Sequence, residues 1–475
     1  MPRILPHLET RGGNIIMMAA ENEYGSFASS RKYMNQCANM LRQYGVDVPL
    51  ITSDGSSGMF LDGGQAEGCL SALDFGFDKG VIEDRRIEPF KERYPNAPIL
   101  HIEHWIGGFS HWGEPIKKYD AEYVAQEVRE HLKQHMSFNL YMFHGGTNFG
   151  FTSGANEFNR DPEHILKFSF HPDCTSYDYD ALLTEWGEIT PKYLKVQKVM
   201  SEYLNKELPV AKPIPCMSLG DIPLAESANL FDNLLNVGEK HESSYLHHME
   251  YYEQNSGYIL YRTHVEATPR IWLLSIKGLA DRAHIYFNGV YRGTKHRNDE
   301  EPYLEVEGWM DEGGTLDILV ENLGHVNYGF SLDKGDRKGI LENVIIFQQG
   351  GPGHILYNWE TYTLPMNDFT KLKYEEKKTQ GPVFYRGAFE TTEQKTCFVH
   401  LNNFTKGFVV VNGFNLGRYW DVGPQRSLYL PPSILKEQNE IIVFSENPIE
   451  NPLVSILDYH ILDAQMVDDI PDVII

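Results

Sequence analysis

From its start to about residue 205 the chain alternates short apolar runs with amphipathic helical segments, and this alternation restricts the possible folds. The five apolar runs are Asn14–Ala20, Val48–Thr52, Cys69–Phe75, Pro98–Ile102 and Phe138–Phe143. Strands separated by helices form parallel sheets, because parallel neighbours need a long crossover connection. The repeat length is close to that of a (β/α)₈ barrel, of which the sequence predicts five strands.

After about residue 208 a pattern typical of antiparallel sheets replaces this alternation. Three prolines predict a linker over residues 206–235. Beyond it, short β-rich runs are separated by turn signals such as Asn288-Gly289. We therefore predict a multidomain protein with an incomplete (β/α)₈ TIM-type barrel over 1–205 and two antiparallel β-sandwich domains of the jelly-roll type over 236–365 and 380–475.

The charge balance excludes two classes of partner. The chain has 42 Lys and Arg against 66 Asp and Glu, so its formal net charge is −24. Such a charge repels nucleic-acid phosphates and anionic lipid surfaces. The apolar runs are also shorter than the ~18–20 residues that a membrane helix requires. We expect neither a nucleic-acid partner nor a membrane partner.

Two acidic residues follow predicted parallel strands. Glu23 comes after the first apolar run and Glu103 after the fourth. The 80 residues between them span three strand-to-strand steps of about 27 residues, which is one βα unit per step. Both carboxylates are therefore expected at the same rim of the sheet. Two carboxyl groups on one rim suit glycoside hydrolysis, in which one protonates the leaving oxygen and the other attacks the anomeric carbon.

Long motifs across the chain resemble glycoside hydrolase family 35, the acid or lysosomal-type β-galactosidases. In the first region these motifs are GGNIIMMAAENEYGSF (12–27), VPLITSDG (48–55), HIEHWIGGFSHWGEP (101–115), NLYMFHGGTNFGFTSGAN (139–156) and TSYDYDALLTEWGEITPKY (175–193). The later ones are ILYRT (259–263), LVENLGHVNYG (319–329), DRKGI (336–340), FYRGAF (384–389) and VVVNGFNLGRYWDVGPQRSLYLP (409–431). The resemblance implies galactose-binding-like folds for the two sandwiches.

The resemblance also implies a reaction and its two main groups. Glu23 corresponds to the general acid/base, and Glu103 to the nucleophile that forms a galactosyl ester. The reaction would then be retaining and would remove terminal β-D-galactose from β-galactoside glycans or oligosaccharides. No cofactor is implied. Glu21 is expected to support the site by raising the pKa of Glu23 through like-charge repulsion.

Four further residues correspond to positions that bind the sugar in this family. Asn22 would hydrogen-bond the 2-hydroxyl of the galactose. Trp105 occupies an aromatic position that touches the sugar, and Tyr141 and Tyr179 would reach the nucleophile or the sugar. Gly108, five residues after Glu103, stands where many members of the family have Trp. This difference leaves open which glycosidic linkage the protein prefers.

The resemblance covers only part of the family's barrel. There the Glu-Asn-Glu segment ends the fourth strand, whereas here it begins at residue 21. The sequence thus corresponds to about strands four to eight, and about 100 residues of barrel are missing at ~30 residues per unit. We expect the missing strands from a homo-oligomer or a separately encoded N-terminal fragment. Residues 1–13 do not resemble a secretory signal, but the resemblance implies an extracellular, periplasmic or lysosomal full-length protein.

Two other functions remain open from the sequence. An incomplete barrel is compatible with an inactive galactoside-binding or structural homologue. The residues that distinguish the axial 4-hydroxyl of galactose lie mostly on the missing strands in this family. A retaining exo-glycosidase for another sugar therefore fits the motifs as well.

Several histidines lie near the predicted strand ends, namely His101, His104, His111 and His144. Residues 101 and 104 would point to opposite faces of a regular strand. Their spacing is also not the helical His-x-x-x-His pattern of zinc proteases. We therefore expect no metal in the reaction.

Overall fold

The computed structural model describes residues 1–76, 79–159, 168–268, 270–300, 303–306, 309–329, 332, 335–375 and 380–466. Within these ranges, none of the helices combines the length and the apolar character needed to cross a lipid bilayer.

Among the described residues, the first region contains ten strands and six α-helices. The strands are β1 (Met18–Asn22), β2 (Leu50–Gly55), β3 (Cys69–Gly76), β4 (Leu100–Trp105), β5 (Ile116–Lys118), β6 (Ser137–Tyr141), β7 (Gly146–Thr147), β8 (Ala155–Asn159), β9 (Phe168–Pro172) and β10 (Ser176–Tyr177). The helices are α1 (Tyr24–Phe27), α2 (Arg31–Gln43), α3 (Gly58–Gly64), α4 (Asp84–Arg93), α5 (Ala121–Lys133) and α6 (Pro191–Leu204). Two 3₁₀ turns, Leu5–His7 and Glu9–Arg11, precede β1.

Five strands of this region form one parallel sheet in the order β1-β2-β3-β4-β6. Spatial neighbours are thus sequence neighbours, and at least one helix connects each pair. All five predicted strands form. The first four end further along the chain than predicted, because the ladder continues past the apolar run into polar residues such as Asp54 and Glu103, whereas β6 ends at Tyr141, before the predicted Phe143.

The long helices begin and end at conventional capping residues. The Ser30 side chain accepts a hydrogen bond from the Tyr33 N–H at the start of α2. Beyond its C-terminus Gly45 has a φ of 92°, a left-handed conformation that glycine adopts without steric cost. In α5, Val124 and Val128 are buried one turn apart and pack against the sheet.

Two strands and a short helix follow the first region: β11 (Gly220–Pro223), β12 (Glu226–Asn229) and α7 (Leu234–Val237). The first all-β domain then contains β13 (Glu239–Ser243), β14 (Tyr258–Val265), β15 (Ile271–Ile276), β16 (Leu279–Ala280), β17 (Arg282–Phe287), β18 (Val290–His296), β19 (Tyr303–Glu305), β20 (Gly314–Glu321), β21 (Val326–Tyr328), β22 (Gly339–Ile340), β23 (Val344–Gln348), β24 (Gly353–Ile355) and β25 (Trp359–Leu364). A 3₁₀ turn, Met249–Tyr252, precedes β14.

The second all-β domain contains β26 (Val383–Glu390), β27 (Cys397–His400), β28 (Lys406–Val411), β29 (Phe414–Trp420), β30 (Ser427–Leu430), β31 (Gln438–Ser445), β32 (Leu453–Leu457) and β33 (Ala464–Met466). A 3₁₀ turn, Pro432–Ile434, follows β30.

Each all-β domain encloses an apolar core. In the first, the sheets β13-β25-β14-β20-β17-β18 and β19-β15-β23-β24 contribute buried side chains such as Ile285 and Ile346 to one cluster. In the second, the sheets β12-β26-β31-β28-β29 and β11-β32-β27-β30 do the same with Val409 and Val454. The predicted all-β character of both regions is confirmed.

The structure differs from the predicted linker over 206–235. Within it, β11 pairs with β32 and β12 pairs with β26, so this stretch belongs to the sheets of the second all-β domain. Ile222 and Leu224 are buried there. The three prolines at 209–215 break the chain before these strands, and the alternating apolar residues after them form sheet.

Both all-β domains pair directly with the α/β region. Strand β21 of the first domain lies parallel to β8, extending the hairpin β8–β9. Strand β33 lies parallel to β5. These pairings fix the β-domains beside the C-terminal edge of the parallel sheet.

A buried network of charged side chains also joins the three regions. Glu321 on β20 accepts hydrogen bonds from Lys406 Nζ at 2.9 Å and from Arg418 Nε at 3.2 Å. Arg418 also donates to Ser153 Oγ and to the Asn322 carbonyl, each at 2.7 Å. The three charged residues are each 1% exposed. Removing one partner would leave the other charges buried and uncompensated.

A second carboxylate completes this network. Glu446 Oε1 accepts a hydrogen bond from Tyr258 Oη at 3.1 Å, and the carboxylate pairs with Arg282. Burial alone raises the pKa of Glu446, but the charges of Arg282, His284 and Lys406 hold that pKa well below its ordinary value. The cluster is therefore charged and paired inside the domain interface.

Glu321→Gln should lower the free energy of unfolding by about 3–5 kcal/mol, because Lys406 and Arg418 lose their buried counter-charge. Urea unfolding followed by circular dichroism measures the effect. The control is Glu226→Gln, which removes an ion pair with Arg386 that is far more exposed and should cost about 1 kcal/mol or less. Equal effects of the two substitutions would contradict this account.

Candidate active site

The acidic residues and one tyrosine line up at the C-terminal ends of the five parallel strands. Glu23 follows β1, Asp54 lies near the end of β2, Asp74 near the end of β3, Glu103 in β4, and Tyr141 ends β6. The strand register pairs Asp74 directly with Glu103. One edge of the sheet thus presents four carboxyl groups and a phenol.

Glu23 is held in a strained backbone conformation. Its φ is 51°, in the left-handed region that a non-glycine residue rarely adopts. Its N–H donates to the Ser53 carbonyl at 2.7 Å, and its carbonyl accepts a hydrogen bond from Ser26 Oγ at 2.7 Å. Strain of this kind costs on the order of 1–3 kcal/mol and clusters at functional sites.

Burial raises the pKa of Glu23 to about 7, and the negative charges of Glu103 and Asp54 contribute further. A carboxyl group with this pKa keeps its proton well above the pH at which an ordinary glutamate ionises. Glu23 therefore has the protonation state of a general acid near neutral pH.

Glu103 has a different environment. Trp105 Nε1 donates a hydrogen bond to Glu103 Oε2 at 2.9 Å. Burial raises the pKa of Glu103, and the hydrogen bond from Trp105 opposes this rise by stabilising the ionised form. The two carboxyl groups thus differ in environment, because the Trp105 hydrogen bond favours the ionised form of Glu103 and the nearby negative charges favour the protonated form of Glu23.

Asp54 is a buried acid that the sequence analysis did not select. Its Oδ1 accepts a hydrogen bond from the Gly25 N–H at 2.8 Å. Burial raises the pKa of Asp54 to about 7; the Gly25 N–H lowers it and the charge of Glu21 raises it. A Cβ atom on Gly64 would lie 1.8 Å from Asp54 Oδ2, so glycine is required there.

Asp74 is the second acid that was missed. Its two carboxylate oxygens lie 2.8 and 2.6 Å from Ser53 Oγ. Burial raises the pKa of Asp74 well above its ordinary value, and the charge of Glu103 contributes. In the sequence, Asp54 lies two residues after the second apolar run, and Asp74 lies one residue before the end of the third. Extending the strand-end rule to acids within two residues on either side of the end of a run would find both.

Aromatic side chains line the site beside Glu103. The Tyr141 and Tyr177 hydroxyls lie 3.2 Å apart, and the Tyr179 ring packs 5.3 Å from each of these rings. Phe109 extends the group, 6.2 Å from Tyr177. Burial raises the pKa of Tyr141, the hydrogen bond with Tyr177 lowers it, and the charges of Glu103 and Glu23 raise it further.

The position of Tyr179 depends on a close backbone approach. Its φ is 62° and its carbonyl oxygen packs against Gly107, where a Cβ atom would lie 1.6 Å away. Gly107 lies two residues after Trp105, so the chain beyond the predicted nucleophile is shaped to admit this tyrosine.

The first all-β domain supplies one more side chain. Tyr328 ends β21, and burial together with the charge of Glu23 raises its pKa to about 12, while a hydrogen bond with Ser26 lowers it. Tyr328 therefore lies beside the Glu23 segment. No local sequence signal identifies it, because the contact spans some 300 residues of chain.

The remaining predicted residues lie at the outer side of β1. Asn22 is exposed at the end of this strand. Glu21 accepts a hydrogen bond from Tyr33 of α2. The carboxylates that raise the pKa of Glu23 are Glu103 and Asp54, whereas Glu21 raises the pKa of Asp54.

The expectation that His101 and His104 face opposite sides of β4 is wrong. The register with β6 shifts between these residues, and the resulting irregularity turns both rings toward α5. His101 Nδ1 lies 2.7 Å from His131 Nε2, and His104 Nε2 lies 2.7 Å from Glu127 Oε2. All four side chains are buried in this hydrogen-bonded network.

The raised pKa values of Glu23 and Asp54 predict a stability that falls with increasing pH. A carboxyl group whose pKa is higher in the folded state binds its proton more tightly there, so folding loses stability as the pH rises from about 4 to about 7. Glu23→Gln and Asp54→Asn should each raise the melting temperature at about pH 8 and change it little at about pH 4. Scanning calorimetry at both pH values measures this.

The control is Glu226→Gln, because Arg386 lowers the pKa of the Glu226 carboxyl group. This substitution should lower the melting temperature at the higher pH, with the opposite sign. A shift of the same size at both pH values for Glu23→Gln would contradict the burial penalty.

Three family profiles match successive parts of the chain. The profile of "Glycosyl hydrolases family 35" matches residues 1–203, "Beta-galactosidase, first all-beta domain" matches 247–365, and "Beta-galactosidase, galactose-binding domain" matches 382–440.

Relatives span nearly the whole chain. The beta-galactosidase of Xanthomonas manihotis is 36% identical over 437 residues, which are 91% of this chain and 69% of that protein. The beta-galactosidase-1-like protein of Mus musculus is 35% identical over 490 positions, covering 98% and 72%. Beta-galactosidase 17 of Arabidopsis thaliana is 32% identical over 492 positions, covering 95% and 68%. The chain belongs to glycosyl hydrolases family 35.

Proposed function

We propose that this chain is a retaining exo-β-galactosidase acting on terminal β-D-galactose of glycans or oligosaccharides. The observation that supports this most is the pair Glu23 and Glu103 at one sheet edge, close enough for the charge of Glu103 to raise the pKa of Glu23. The names of the relatives support galactosides as substrates.

In the first step of this proposal, the ionised Glu103 attacks the anomeric carbon of the galactose. Glu23 donates its proton to the glycosidic oxygen as the bond between that oxygen and the anomeric carbon breaks. The products are the free leaving-group alcohol and a galactosyl ester of Glu103. Asn22, Trp105, Tyr141 and Tyr179 hold the sugar and the nucleophile in this proposal.

In the second step, Glu23 removes a proton from water, and the hydroxyl oxygen attacks the anomeric carbon and releases Glu103. The electrostatics of the site favour this change of role. Esterification neutralises Glu103, which removes one of the charges that raise the pKa of Glu23. The pKa of Glu23 should fall in the intermediate, making the group a better base when a base is required.

The parallel sheet fits this chemistry as an arc of a (β/α)₈ barrel, in which catalytic residues lie at C-terminal strand ends. Its sequential strand order is the order of such a barrel. Large apolar side chains are exposed beside both outer strands: Ile16, Tyr33 and Met40 beside β1, and Phe143 and Leu194 beside β6. We propose that further strands cover these two edges in the active enzyme.

Exposed apolar edges of this kind promote association between chains. Light scattering on the purified chain should therefore give a mass above the 54.5 kDa of one copy. The double substitution Ile16→Asp and Phe143→Asp should reduce that mass toward one copy, because charges disfavour edge pairing. A single-copy mass for the unsubstituted chain would contradict pairing between copies and would favour a separate fragment as the partner.

Azide distinguishes the two carboxylates by the stereochemistry of the product. With p-nitrophenyl β-galactoside, the Glu23→Ala variant should still release nitrophenol and form the galactosyl ester of Glu103. Azide then attacks this ester and gives β-galactosyl azide. Glu103→Ala should give α-galactosyl azide or none, since azide then replaces the nucleophile directly. Proton NMR of the anomeric position identifies each product.

The control is Glu226→Ala, which lies in the second all-β domain and should keep the activity of the unsubstituted chain. The reverse assignment of the two azides would contradict the roles given to Glu23 and Glu103. A soluble, folded chain that prefers β-glucoside or β-fucoside would contradict galactose as the sugar.

A further inference from the structure

Three polar side chains converge where the segment after β4 meets the hairpin β8–β9. The nitrogen or oxygen atoms of His111, Glu114 and His171 lie within 4.8 Å of one another. His111 Nδ1 is 3.6 Å from Glu114 Oε2, and His171 Nδ1 is 3.2 Å from Glu114 Oε1. Both imidazole rings thus direct the same nitrogen toward one carboxylate.

The outer nitrogen of His111 has a hydrogen-bond acceptor. Asn156 Nδ2 donates to Asn327 Oδ1 at 2.9 Å, which fixes the orientation of the Asn156 amide. Asn156 Oδ1 then lies 2.8 Å from His111 Nε2 and accepts its proton. In the neutral ring this assignment leaves a lone pair on Nδ1, directed at Glu114.

His171 has the same arrangement. Its Nε2 lies 2.7 Å from Ser169 Oγ, and that hydroxyl is 3.4 Å from the Phe158 carbonyl. When the hydroxyl donates to this carbonyl, its oxygen accepts the Nε2 proton of His171. The Nδ1 lone pair of His171 then faces Glu114 Oε1. Two lone pairs directed at a carboxylate repel it unless a cation or additional protons lie between them.

Asp173 stands behind His111. Asp173 Oδ1 lies 3.4 Å from His111 Nε2. This carboxylate oxygen has no hydrogen-bond partner, although only 4% of Asp173 is exposed. A carboxylate behind a histidine favours a proton on the outer nitrogen and makes the inner nitrogen a stronger ligand. Such carboxylate–histidine–metal arrangements are the usual outer shell of a bound ion.

We propose that His111 Nδ1, His171 Nδ1 and the Glu114 carboxylate bind a divalent transition-metal ion of the Zn²⁺ type. Imidazole and carboxylate groups suit such ions, and three protein ligands leave positions for water. The Glu114 and His171 side chains are 22% and 14% exposed, so the ion has a path from solvent. The carboxylates of Glu114 and Asp173 would balance the charge of the ion.

The other group of three histidines fits an ion less well. His101 Nδ1 and His131 Nε2 are 2.7 Å apart, the distance of a hydrogen bond between them. Two tetrahedral ligands at ~2.05 Å from zinc lie over 3 Å apart. That group is therefore a hydrogen-bonded core network, whereas the two histidines beside Glu114 each meet the same carboxylate.

The site has a consequence for the neighbouring wall. The Phe109 ring lies 5.6 Å from the His111 ring and 6.2 Å from Tyr177. The backbones of His111 and Asp173 also pair with each other as a single antiparallel β-bridge. An ion bound here would tie the segment that follows the Glu103 strand to β9, and so fix Phe109 against the aromatic group of the active site.

Calorimetric titration of the chelator-treated chain with Zn²⁺ tests the proposal without using activity. We expect saturable binding of one Zn²⁺ per chain. Glu114→Gln and His171→Gln should each weaken binding about a hundredfold or more, and Asn156→Ala about 10–100-fold. Circular dichroism checks that each variant is folded.

The matched control is Glu250→Gln. Glu250 also contacts two histidines, with His248 Nδ1 at 2.9 Å and His325 Nε2 at 3.7 Å, and its side chain is 27% exposed. This substitution should leave Zn²⁺ affinity unchanged. Binding that survives both Glu114→Gln and His171→Gln, or the absence of saturable binding to the unsubstituted chain, would overturn the site.

Discussion

The burial of four carboxyl groups at one sheet edge is the constraint on which the proposed chemistry depends. Glu23, Asp54, Asp74 and Glu103 stand at or near the ends of consecutive parallel strands, and burial disfavours the charged form of all four. They cannot all be ionised at low cost, so local donors decide which of them holds a charge. Asp54 accepts from a backbone N–H and Asp74 lies beside Ser53. The Trp105 hydrogen bond opposes the rise in the pKa of Glu103, whereas burial and neighbouring charges raise the pKa of Glu23 to about 7.

The all-β domains take part in this arrangement. Pairing of β21 with β8 brings Tyr328 beside Glu23, and the buried charges around Glu321 and Glu446 link both β-domains to each other. Arg418 extends the link to Ser153 in the α/β region. A perturbation of the domain interface should therefore alter the electrostatics of Glu23 as well as stability. The environment of the candidate site therefore depends on the all-β domains as well as on the parallel sheet.

The sequence predicts the parts of this structure that depend on local pattern. Apolar runs identify all five parallel strands, and the strand-end rule selects Glu23 and Glu103. The same rule does not select Asp54, because an Asp between Ser and Gly is typical of a turn, or Asp74, because it lies inside an apolar run rather than after one. Local pattern also does not predict the irregularity that brings His101 and His104 together, since one extra residue in a strand reverses the facing of all that follow.

Long-range pairing is the other limit. Strands β11 and β12 lie in a segment that follows three prolines, and their partners β32 and β26 are some 150–240 residues away. Tyr328 and Arg418 reach the α/β region over comparable separations. Such contacts depend on the register of entire sheets, which the composition of a short window does not encode.

The most direct test of the central claim is to trap the covalent intermediate with a 2-deoxy-2-fluoro-β-galactosyl fluoride. The fluorine at C2 destabilises the oxocarbenium-like transition state, so hydrolysis of the ester becomes slow while the good leaving group still allows its formation. Peptide mass spectrometry should then find the fluorogalactosyl group on Glu103. Labelling of Asp54, Asp74 or Glu23, or turnover of β-galactoside without any labelled peptide, would contradict the assignment of Glu103 as the nucleophile.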